Sequence, residues 1–412
     1  MTKKYVFKGI VQGIGFRPTA LRLALENGIT GTVCNSGGYV TLTASGTQKA
    51  LDAYIRCLVA LFSVKSYTET QIPEQTFDSF KIIHSSSDNS VPFLTPDLAT
   101  CADCERELKD KSNRRYKHPF ISCVNCGPRY TIQKSIPYDR ENTAMGIFPM
   151  CPECAEEYTT PSDRRCHAQT IACNQCGPEI SMSIEQCAKL LKDGKTVAVK
   201  GIGGYHLCAW AKDENAVNSL RKIKGRETKP FAVMFSSSEE IMKYCFVSDV
   251  EEEALTSPVR PIVLLKKKKD FPNAVSGGSE FTGAFLPCNP IQIMLLEKIS
   301  PLVMTSANLS GAPIITDDKE AAALGVSVLA HNREILTPID DSVCHAIDGK
   351  MRWIRRARGC VPLAVDIGIC AKHTTFCAGG DLKSVFGFHV GNYVYLSQPF
   401  GDLEAVSYTH LT

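Results

Sequence analysis

Four short cysteine motifs decide how this chain folds: CADC at 101–104, CVNC at 123–126, CPEC at 151–154 and CNQC at 173–176. Eighteen residues separate the two pairs in each half, and the pattern repeats after fifty residues. Both halves end in Cys-Gly-Pro. Because one tight turn presents both sulfurs of a Cys-x2-Cys pair, two such pairs suit a tetrahedral zinc ion. The pattern predicts a duplicated zinc module rather than disulfides.

Both Zn²⁺ ions are predicted to be structural, since four cysteines leave no open position on the metal. Each half is self-sufficient, which favours pairing in chain order, and crossed pairing stays open. Cys166 and His167 precede the last pair and are predicted to serve packing or substrate contact rather than metal binding. The eight predicted ligands are Cys101, Cys104, Cys123 and Cys126 for one ion and Cys151, Cys154, Cys173 and Cys176 for the other.

Composition limits the cellular context. The 412 residues are 44% hydrophobic, enough for several buried cores, and the net charge of +3 gives little support for a nucleic-acid partner. No apolar run reaches the roughly 18 residues that span a membrane. Nineteen cysteines without a preceding leader segment indicate a reducing compartment. We expect a cytoplasmic protein with no membrane association.

On the N-terminal side of the cysteine motifs, the pattern of residues 1–90 predicts a ferredoxin-like sandwich. Periodicity gives the order βαββαβ, which is typical of that fold. Gly31 to Thr43 is predicted to form the central hairpin around Asn35-Ser36-Gly37-Gly38. The other predicted elements are strands at 5–11 and 77–84 and helices at 19–26 and 48–62.

The loop after the first predicted strand carries chemistry. Gly13 and Gly15 allow backbone N–H groups to converge on an anion at a helix start, and Arg17 adds a fork that fits two phosphate oxygens. No cysteine lies in the loop, and no carboxylate is near it in sequence. Water is therefore the expected nucleophile, oriented by Asn35. So weak a base suits only an activated phosphate such as a mixed anhydride.

This segment resembles the acylphosphatase family. The phosphate loop of that family is matched by Gln12, Gly13, Ile14, Gly15, Phe16 and Arg17, after Val11. The resemblance implies that Arg17 binds the phosphate and that Asn35 positions the attacking water.

On the other side of the cysteines, residues 181–367 carry clustered cations. Arg221, Lys222, Lys224, Arg226 and Lys229 precede an apolar strand that ends in Thr305-Ser306-Ala307-Asn308. Such a polar strand end can hold a phosphate or a ribose. Arg260 and Arg358 add positive charge further along the chain. Taken alone, the basic run also fits a solvated helix face.

This region resembles the YrdC family, whose members make carbamoyl-type adenylates from ATP. Lys224-Gly225-Arg226 matches its Lys-x-Arg element, and Ser306-Ala307-Asn308 matches its Ser-x-Asn element. The resemblance implies a twisted α/β sheet around a positively charged cavity. The residues expected to bind nucleotide and carbamate are Lys224, Arg226, Ser306, Asn308, Arg260 and Arg358, without individual roles.

The three parts in this order resemble the HypF family of carbamoyltransferases, which serve [NiFe] hydrogenase maturation. That resemblance implies an α+β and α/β multidomain enzyme that hydrolyses carbamoyl phosphate and joins carbamate to AMP, using ATP with Mg²⁺. The carbamoyl group would then pass to the C-terminal cysteine of the partner HypE. The expected domains are an acylphosphatase-like domain at 1–90, zinc modules at 91–180, a YrdC-like domain at 181–367 and the truncated start of an actin-like ATPase-type domain at 368–412.

The last segment departs from that family. Asp381 and Lys383 match an opening phosphate element, but the histidines expected of the third domain are missing, and residues 405–412 match nothing. We expect residues 378–412 to be disordered or loosely docked, and the final transfer step to be lacking.

Two other hypotheses stay open: a threonyl-carbamoyl adenylate synthase for tRNA modification, and a zinc ribbon that binds nucleic acid without catalysis. In the leading hypothesis, the zinc modules act as a closed structural block between the two active sites, so that chelating the zinc should damage coupling between the sites more than hydrolysis at Arg17.

Overall fold

The computed structural model describes residues 1–86, 93–308, 311–381 and 384–402. The chain divides into two compact units, one formed by residues 1–95 and 121–177 and the other by residues 96–120 and 178–412. The predictions about the tail at 405–412 and about Lys383 concern residues outside the described ranges.

An antiparallel sheet with two helices begins the first unit. The elements are β1 (Thr2–Gly9), α1 (Phe16–Glu26), β2 (Thr30–Ser36), β3 (Tyr39–Ser45), α2 (Gln48–Leu61), β4 (Val64–Ile72) and β5 (Phe80–Ile82). The strand order is β4-β1-β3-β2-β5. Tyr5, Phe7, Leu42 and Leu58 are among the side chains that fill the core. The predicted ferredoxin-like sandwich is confirmed.

One strand of this sheet differs from the sequence prediction. The strand that pairs with β1 is β4, whereas the segment predicted at 77–84 supplies only β5, which pairs in parallel with β2. Seven of the nine residues of β4 are exposed. An edge strand of this kind lacks the apolar alternation on which the prediction relied.

Short helices open the two cysteine modules. α3 (Ala102–Lys109) begins directly after Cys101, and α4 (Pro152–Thr159) begins directly after Cys151. Each helix therefore carries the second cysteine of its pair. Between the modules, 3-10 turns form at Tyr130–Ile132 and Arg140–Asn142. Little else is regular, as expected where metal binding replaces a hydrophobic core.

The second unit contains a nine-stranded mixed sheet, ordered β12-β6-β7-β11-β8-β10-β9-β13-β14. Its core includes Leu207, Val233, Phe235 and Val303. The predicted α/β sheet is confirmed. The elements are α5 (Ile184–Lys192), β6 (Val197–Lys200), β7 (Tyr205–Trp210), α6 (Glu214–Lys224), β8 (Ala232–Met234), α7 (Ser238–Met242), α8 (Asp249–Thr256), β9 (Ile262–Lys266), α9 (Asn273–Ser276), β10 (Phe281–Phe285), α10 (Pro290–Lys298), β11 (Leu302–Ser306), α11 (Asp318–Ala323), β12 (Ser327–Leu329), β13 (Val343–Ile347) and β14 (Lys350–Arg355).

A small antiparallel sheet follows. It comprises β15 (Val365–Asp366), β16 (Thr375–Ala378), β17 (Phe386–Val390) and β18 (Tyr393–Leu396), in the order β15-β18-β17-β16. The described part of this segment is therefore ordered as strands, although disorder or loose docking was expected. Aromatic contacts such as Phe386 against Phe400, with centroids 5.3 Å apart, help to hold it.

Among the described residues, none of the helices combines the length and apolar character needed to cross a membrane.

Candidate active sites and metal centres

The phosphate loop lies between β1 and α1. Gly13 and Gly15 adopt left-handed backbone angles, with φ of 70° and 81°. Gly15 precedes α1, whose first turn has no side-chain cap and no acidic residue. The N–H groups at this helix start are therefore oriented toward a single region, which suits an anion.

Gln12 ties the loop to its surroundings. Its amide Nε2 donates to the carbonyl oxygens of Gly37 and Tyr39, both at 2.9 Å, and its Oε1 accepts from the backbone N–H of Tyr138 at 3.1 Å. One side chain thus fixes the loop against the β2–β3 hairpin and against the segment at 138.

Arg17 is buried at the start of α1. Its Nη2 donates to Asp139 Oδ1 at 2.7 Å and to the Tyr138 carbonyl at 3.3 Å, while Nη1 donates to Ser85 Oγ at 3.3 Å. The Asp139 contact could not be predicted from the sequence, because 122 residues separate the two side chains. The guanidinium predicted to bind phosphate is thus paired with an internal carboxylate.

Asn35 lies on β2 beside the same segment. Its Nδ2 donates to the Tyr138 carbonyl at 3.4 Å. Its Oδ1 is buried and accepts no hydrogen bond from the described residues. A buried acceptor without a donor is costly, so this atom suits a bound water or substrate donor.

Residues from the region between the cysteines cover the loop. Arg129 donates from Nε to the Gly13 carbonyl at 2.6 Å, and a small cavity at the loop is lined by Arg129, Tyr138, His167 and Gln169 as well as by Arg17. In the first unit, the predicted phosphate loop is therefore a covered site.

His167 has an unusual backbone, with φ of 51°, and its ring packs on Tyr158 with centroids 4.7 Å apart. Lys117, fifty residues earlier, has φ of 55°. The repeat thus conserves this bend in both copies, but only the second places an imidazole by the phosphate loop. Burial, with help from the Arg17 charge, lowers the pKa of His167 to about 4. The ring is neutral at pH 7.

The cysteines group as the sequence favoured. The sulfurs of Cys101, Cys104, Cys123 and Cys126 lie within 4.8 Å of one another, as do those of Cys151, Cys154, Cys173 and Cys176. In the second set the Cys151–Cys173, Cys173–Cys176 and Cys154–Cys176 sulfur distances are each 3.7 Å. A tetrahedral ion with Zn–S bonds of about 2.3 Å separates its sulfurs by about 3.8 Å. Both sets are compatible with zinc.

The second unit contains a cavity of about 860 Å³. That volume is within the range of pockets that bind small molecules and cofactors, about 300–1,000 Å³. Lys224, Arg226, Ser306 and Asn308 all line it. The structure therefore brings together four of the six residues predicted to bind nucleotide and carbamate.

Lys224 and Asn308 form a tight network at the end of β11. Lys224 Nζ donates to the Ser306 carbonyl and to Asn308 Oδ1, both at 2.5 Å, and Ser306 Oγ lies 2.8 Å from Asn308 Oδ1. α6 positions Lys224 in its last turn. The Lys-x-Arg and Ser-x-Asn elements, some eighty residues apart, thus meet in one cluster.

Arg226 stacks on Phe231, with Cζ 4.6 Å from the ring centroid. Burial, followed by the nearby Arg221 and Arg355 charges, lowers the pKa of Arg226 to about 10. The side chain stays charged at pH 7. With Lys229, Arg355 and Arg356 also in the lining, the cavity favours a polyphosphate anion.

Arg260 and Arg358 do not line this cavity. Arg358 is buried and donates to Asp341 Oδ1 at 2.8 Å and to the carbonyls of Val259 and Arg260 at 2.9 and 3.0 Å. Arg260 donates to the Leu255 carbonyl at 3.3 Å. Arg358 instead holds Asp341, which does line the cavity.

Sequence reasoning missed three cavity features: His206 with Asp341, at 3.1 Å, Phe231, and the β17–β18 region with Val385 and Leu396. The positive charges at 355–358 could have indicated that this segment lines the cavity. The strands after residue 384 gave none, because they were assigned to another domain.

Comparisons with family models match three separate regions of the chain. The acylphosphatase family model matches residues 3–82, the HypF finger model matches 100–133 and 150–183, and the Sua5_yciO_yrdC model, described as telomere recombination, matches 189–357. These matches define a multidomain protein that joins an acylphosphatase domain, two HypF fingers and a Sua5/YciO/YrdC domain.

The chain belongs to the HypF carbamoyltransferase family. It is 40% identical to carbamoyltransferase HypF of Synechocystis sp. over 97% of this chain and 55% of that protein. The probable carbamoyltransferase HypF of Methanocaldococcus jannaschii is also 40% identical, over 96% of this chain and 55% of that protein. The chain thus spans about half the length of the curated relatives it matches.

A crystal structure of full-length HypF in a phosphate- and nucleotide-bound form superposes with a TM-score of 0.96 at 41% identity, covering 99% of this chain and 57% of that one. A putative threonylcarbamoyl-AMP synthase of M. jannaschii is 34% identical over only 33% of this chain. The leading hypothesis from the sequence is thus confirmed at the level of the family, ahead of the tRNA-modification alternative.

Proposed function

We propose that this chain carries out two consecutive steps of carbamoyl transfer. The phosphate loop hydrolyses carbamoyl phosphate to carbamate and phosphate. The basic cavity then joins carbamate to AMP, releasing pyrophosphate from ATP. The observation that carries the proposal is the coexistence of a buried phosphate loop with a nucleotide-sized cavity lined by cations.

In the first step, the loop N–H groups and Arg17 hold the phosphate, and Asn35 Oδ1 orients a water. The water oxygen bonds to phosphorus and gives one proton to a phosphate oxygen, and the bond to the carbamoyl oxygen breaks. Its electron pair leaves with carbamate. Carbamate is a good leaving group, which is why a site without a strong base suffices.

In the second step, a carbamate oxygen attacks the α-phosphorus of ATP, and the bond to the β-phosphate oxygen breaks. Lys224 and Arg226 neutralise the charge that grows on the departing pyrophosphate. Mg²⁺ is the proposed companion of ATP. The proposed acceptor of the carbamoyl group is the C-terminal cysteine of HypE, where the group would be used for cyanide-ligand synthesis.

The proposal also includes a structural metal ion and a cellular location. Zn²⁺ is the proposed ion in both four-cysteine sets, where it stabilises the fold. A cytoplasmic location fits because the eight predicted ligands and the buried thiols must stay reduced.

One experiment tests both steps. The protein is incubated with ATP and carbamoyl phosphate, and phosphate, AMP and pyrophosphate are followed. Arg17→Ala should lower phosphate release by at least about 100-fold, given the usual weight of a single charged transition-state contact. Lys224→Ala should abolish AMP formation and leave phosphate release intact.

Exposed Lys49→Ala, on α2, serves as the control for charge loss. AMP formation that depends on threonine and bicarbonate instead of carbamoyl phosphate would replace this proposal with the tRNA-modification activity. Unchanged phosphate release in Arg17→Ala would contradict the assignment of the first site.

A further inference from the structure

Asp139 is an unexpected charged group at the phosphate loop. Its carboxylate and the Arg17 guanidinium form an ion pair at 2.7 Å, with only 19% and 9% of the two side chains exposed. A dianionic phosphate bound by the same guanidinium would lie close to this carboxylate. In a covered site with little solvent screening, the two anions repel each other.

The position of Asp139 is fixed by its neighbours. The Tyr138 N–H donates to Gln12 Oε1 at 3.1 Å. Arg140 donates from its side chain to the carbonyl oxygens of Gln169, Ile171 and Phe148 at 2.8 to 2.9 Å. Residues on both sides of Asp139 are thus held, which fixes the backbone that carries the carboxylate.

A substrate that brings its own hydrogen-bond donor removes the conflict. The amino group of a carbamoyl phosphate has two N–H donors, and two acceptors lie where the acyl group would extend from Arg17 toward Asn35. They are the Asp139 carboxylate and the Tyr138 carbonyl, which accepts from both Arg17 and Asn35. A donor placed here compensates the carboxylate when Arg17 turns to the phosphate.

We propose that Asp139 is a specificity-determining residue of the first site, selecting acyl phosphates whose acyl group carries an amino group. This inference rests on the proposed function of the phosphate loop. Acetyl phosphate has a methyl group where carbamoyl phosphate has the amino group, and is nearly the same size. It leaves the buried carboxylate without a donor, and sites built for an N–H reject such analogues strongly.

The test compares kcat/KM for carbamoyl phosphate and acetyl phosphate in the full chain. Asp139→Ala should lower the preference for carbamoyl phosphate by about tenfold or more, because acetyl phosphate no longer meets an uncompensated anion. Asp139→Asn keeps the shape and one acceptor oxygen, so its preference should fall in between. Inorganic phosphate, which has no amino group, should inhibit both variants more strongly than the native chain.

Glu141→Gln is the matched control, because this exposed acid lies two residues away. It should leave the preference and the phosphate inhibition unchanged. Equal effects of Asp139→Asn on both substrates would overturn the role of Asp139 and leave the hydrolysis proposal standing. If the native chain hydrolyses neither acyl phosphate, both proposals fail together, and that outcome is recognised before any Asp139 variant is measured.

Discussion

Asp341 shows how a single charge is held at the wall of the basic cavity. Burial alone would raise the pKa of its carboxyl, but the Arg358 charge and the hydrogen bond to His206 outweigh burial and lower it well below its usual value. A carboxyl with a lowered pKa in the folded state stabilises the fold above its unfolded pKa of about 3.9, and this contribution fades as the pH falls below that.

We therefore expect Asp341→Asn to destabilise the second unit by about 3 kcal/mol at pH 7, since it leaves Arg358 buried and unpaired. The difference from the native chain should shrink as the pH is lowered from 5 to 3. Denaturant unfolding across this range measures it. Asp348→Asn, at an exposed turn, is the control and should follow the native chain throughout. A difference that does not depend on pH would rule out the ion pair as its cause.

The site residues that stand in short motifs could be predicted from the sequence. Those that reach a site only when distant segments fold together could not. Arg17, Asn35, Lys224 and Asn308 stand in recognisable patterns. Asp139 lies in no motif, and only the folding of residues 121–177 onto the phosphate loop brings it to Arg17. Arg358 illustrates the reverse case, because its cationic character was visible but its engagement with Asp341 was not.

Arg140 organises a whole segment rather than a single contact. It joins three carbonyl oxygens, and its backbone N–H donates to Gln169 Oε1 at 2.8 Å. Arg140→Met keeps the apolar stem of the side chain and removes every side-chain donor. We expect a loss of about 3 kcal/mol from the carbonyls left unsatisfied, seen as a lower midpoint in denaturant.

Lys134→Met provides the comparison, because Lys134 is exposed and its backbone N–H donates to the Asn142 carbonyl at 2.8 Å, a contact that the substitution keeps. A similar loss in both variants would show that the substituted methionine, not the missing donors, is responsible.

The strands of the first unit show which elements can be predicted from apolar periodicity. The β2–β3 hairpin, whose residues alternate between buried and half-buried, was predicted from the sequence, while the exposed β4 was not.

For the molecule as a whole, the positions of Arg129, Asp139 and His167 change what metal removal should do. The sequence alone led to the expectation that chelation damages coupling between the two sites more than hydrolysis at Arg17. The first unit now places residues that lie between zinc-ligand pairs in the lining of the phosphate loop. Loss of metal should therefore impair hydrolysis as well as stability.

The measurement is metal content by elemental analysis beside carbamoyl phosphate hydrolysis. Native protein should hold two zinc ions per chain, and Cys154→Ser should hold about one and hydrolyse carbamoyl phosphate at least about tenfold more slowly. Cys57→Ser, at an exposed cysteine outside both sets, should change neither value. Full hydrolysis by a metal-free chain would show that the zinc modules do not support the phosphate loop.

The close spacing of the sulfurs has a practical consequence in air. Thiols 3.7 Å apart in the second set need to approach by only about 1.7 Å to reach the length of a disulfide bond. A bound zinc ion would prevent this by occupying the thiolates. Protein stripped of metal without a reductant would lose two electrons per cysteine pair to oxygen, and the resulting cross-links would block reloading. Purification and storage therefore call for a phosphine or thiol reductant from the first lysis step.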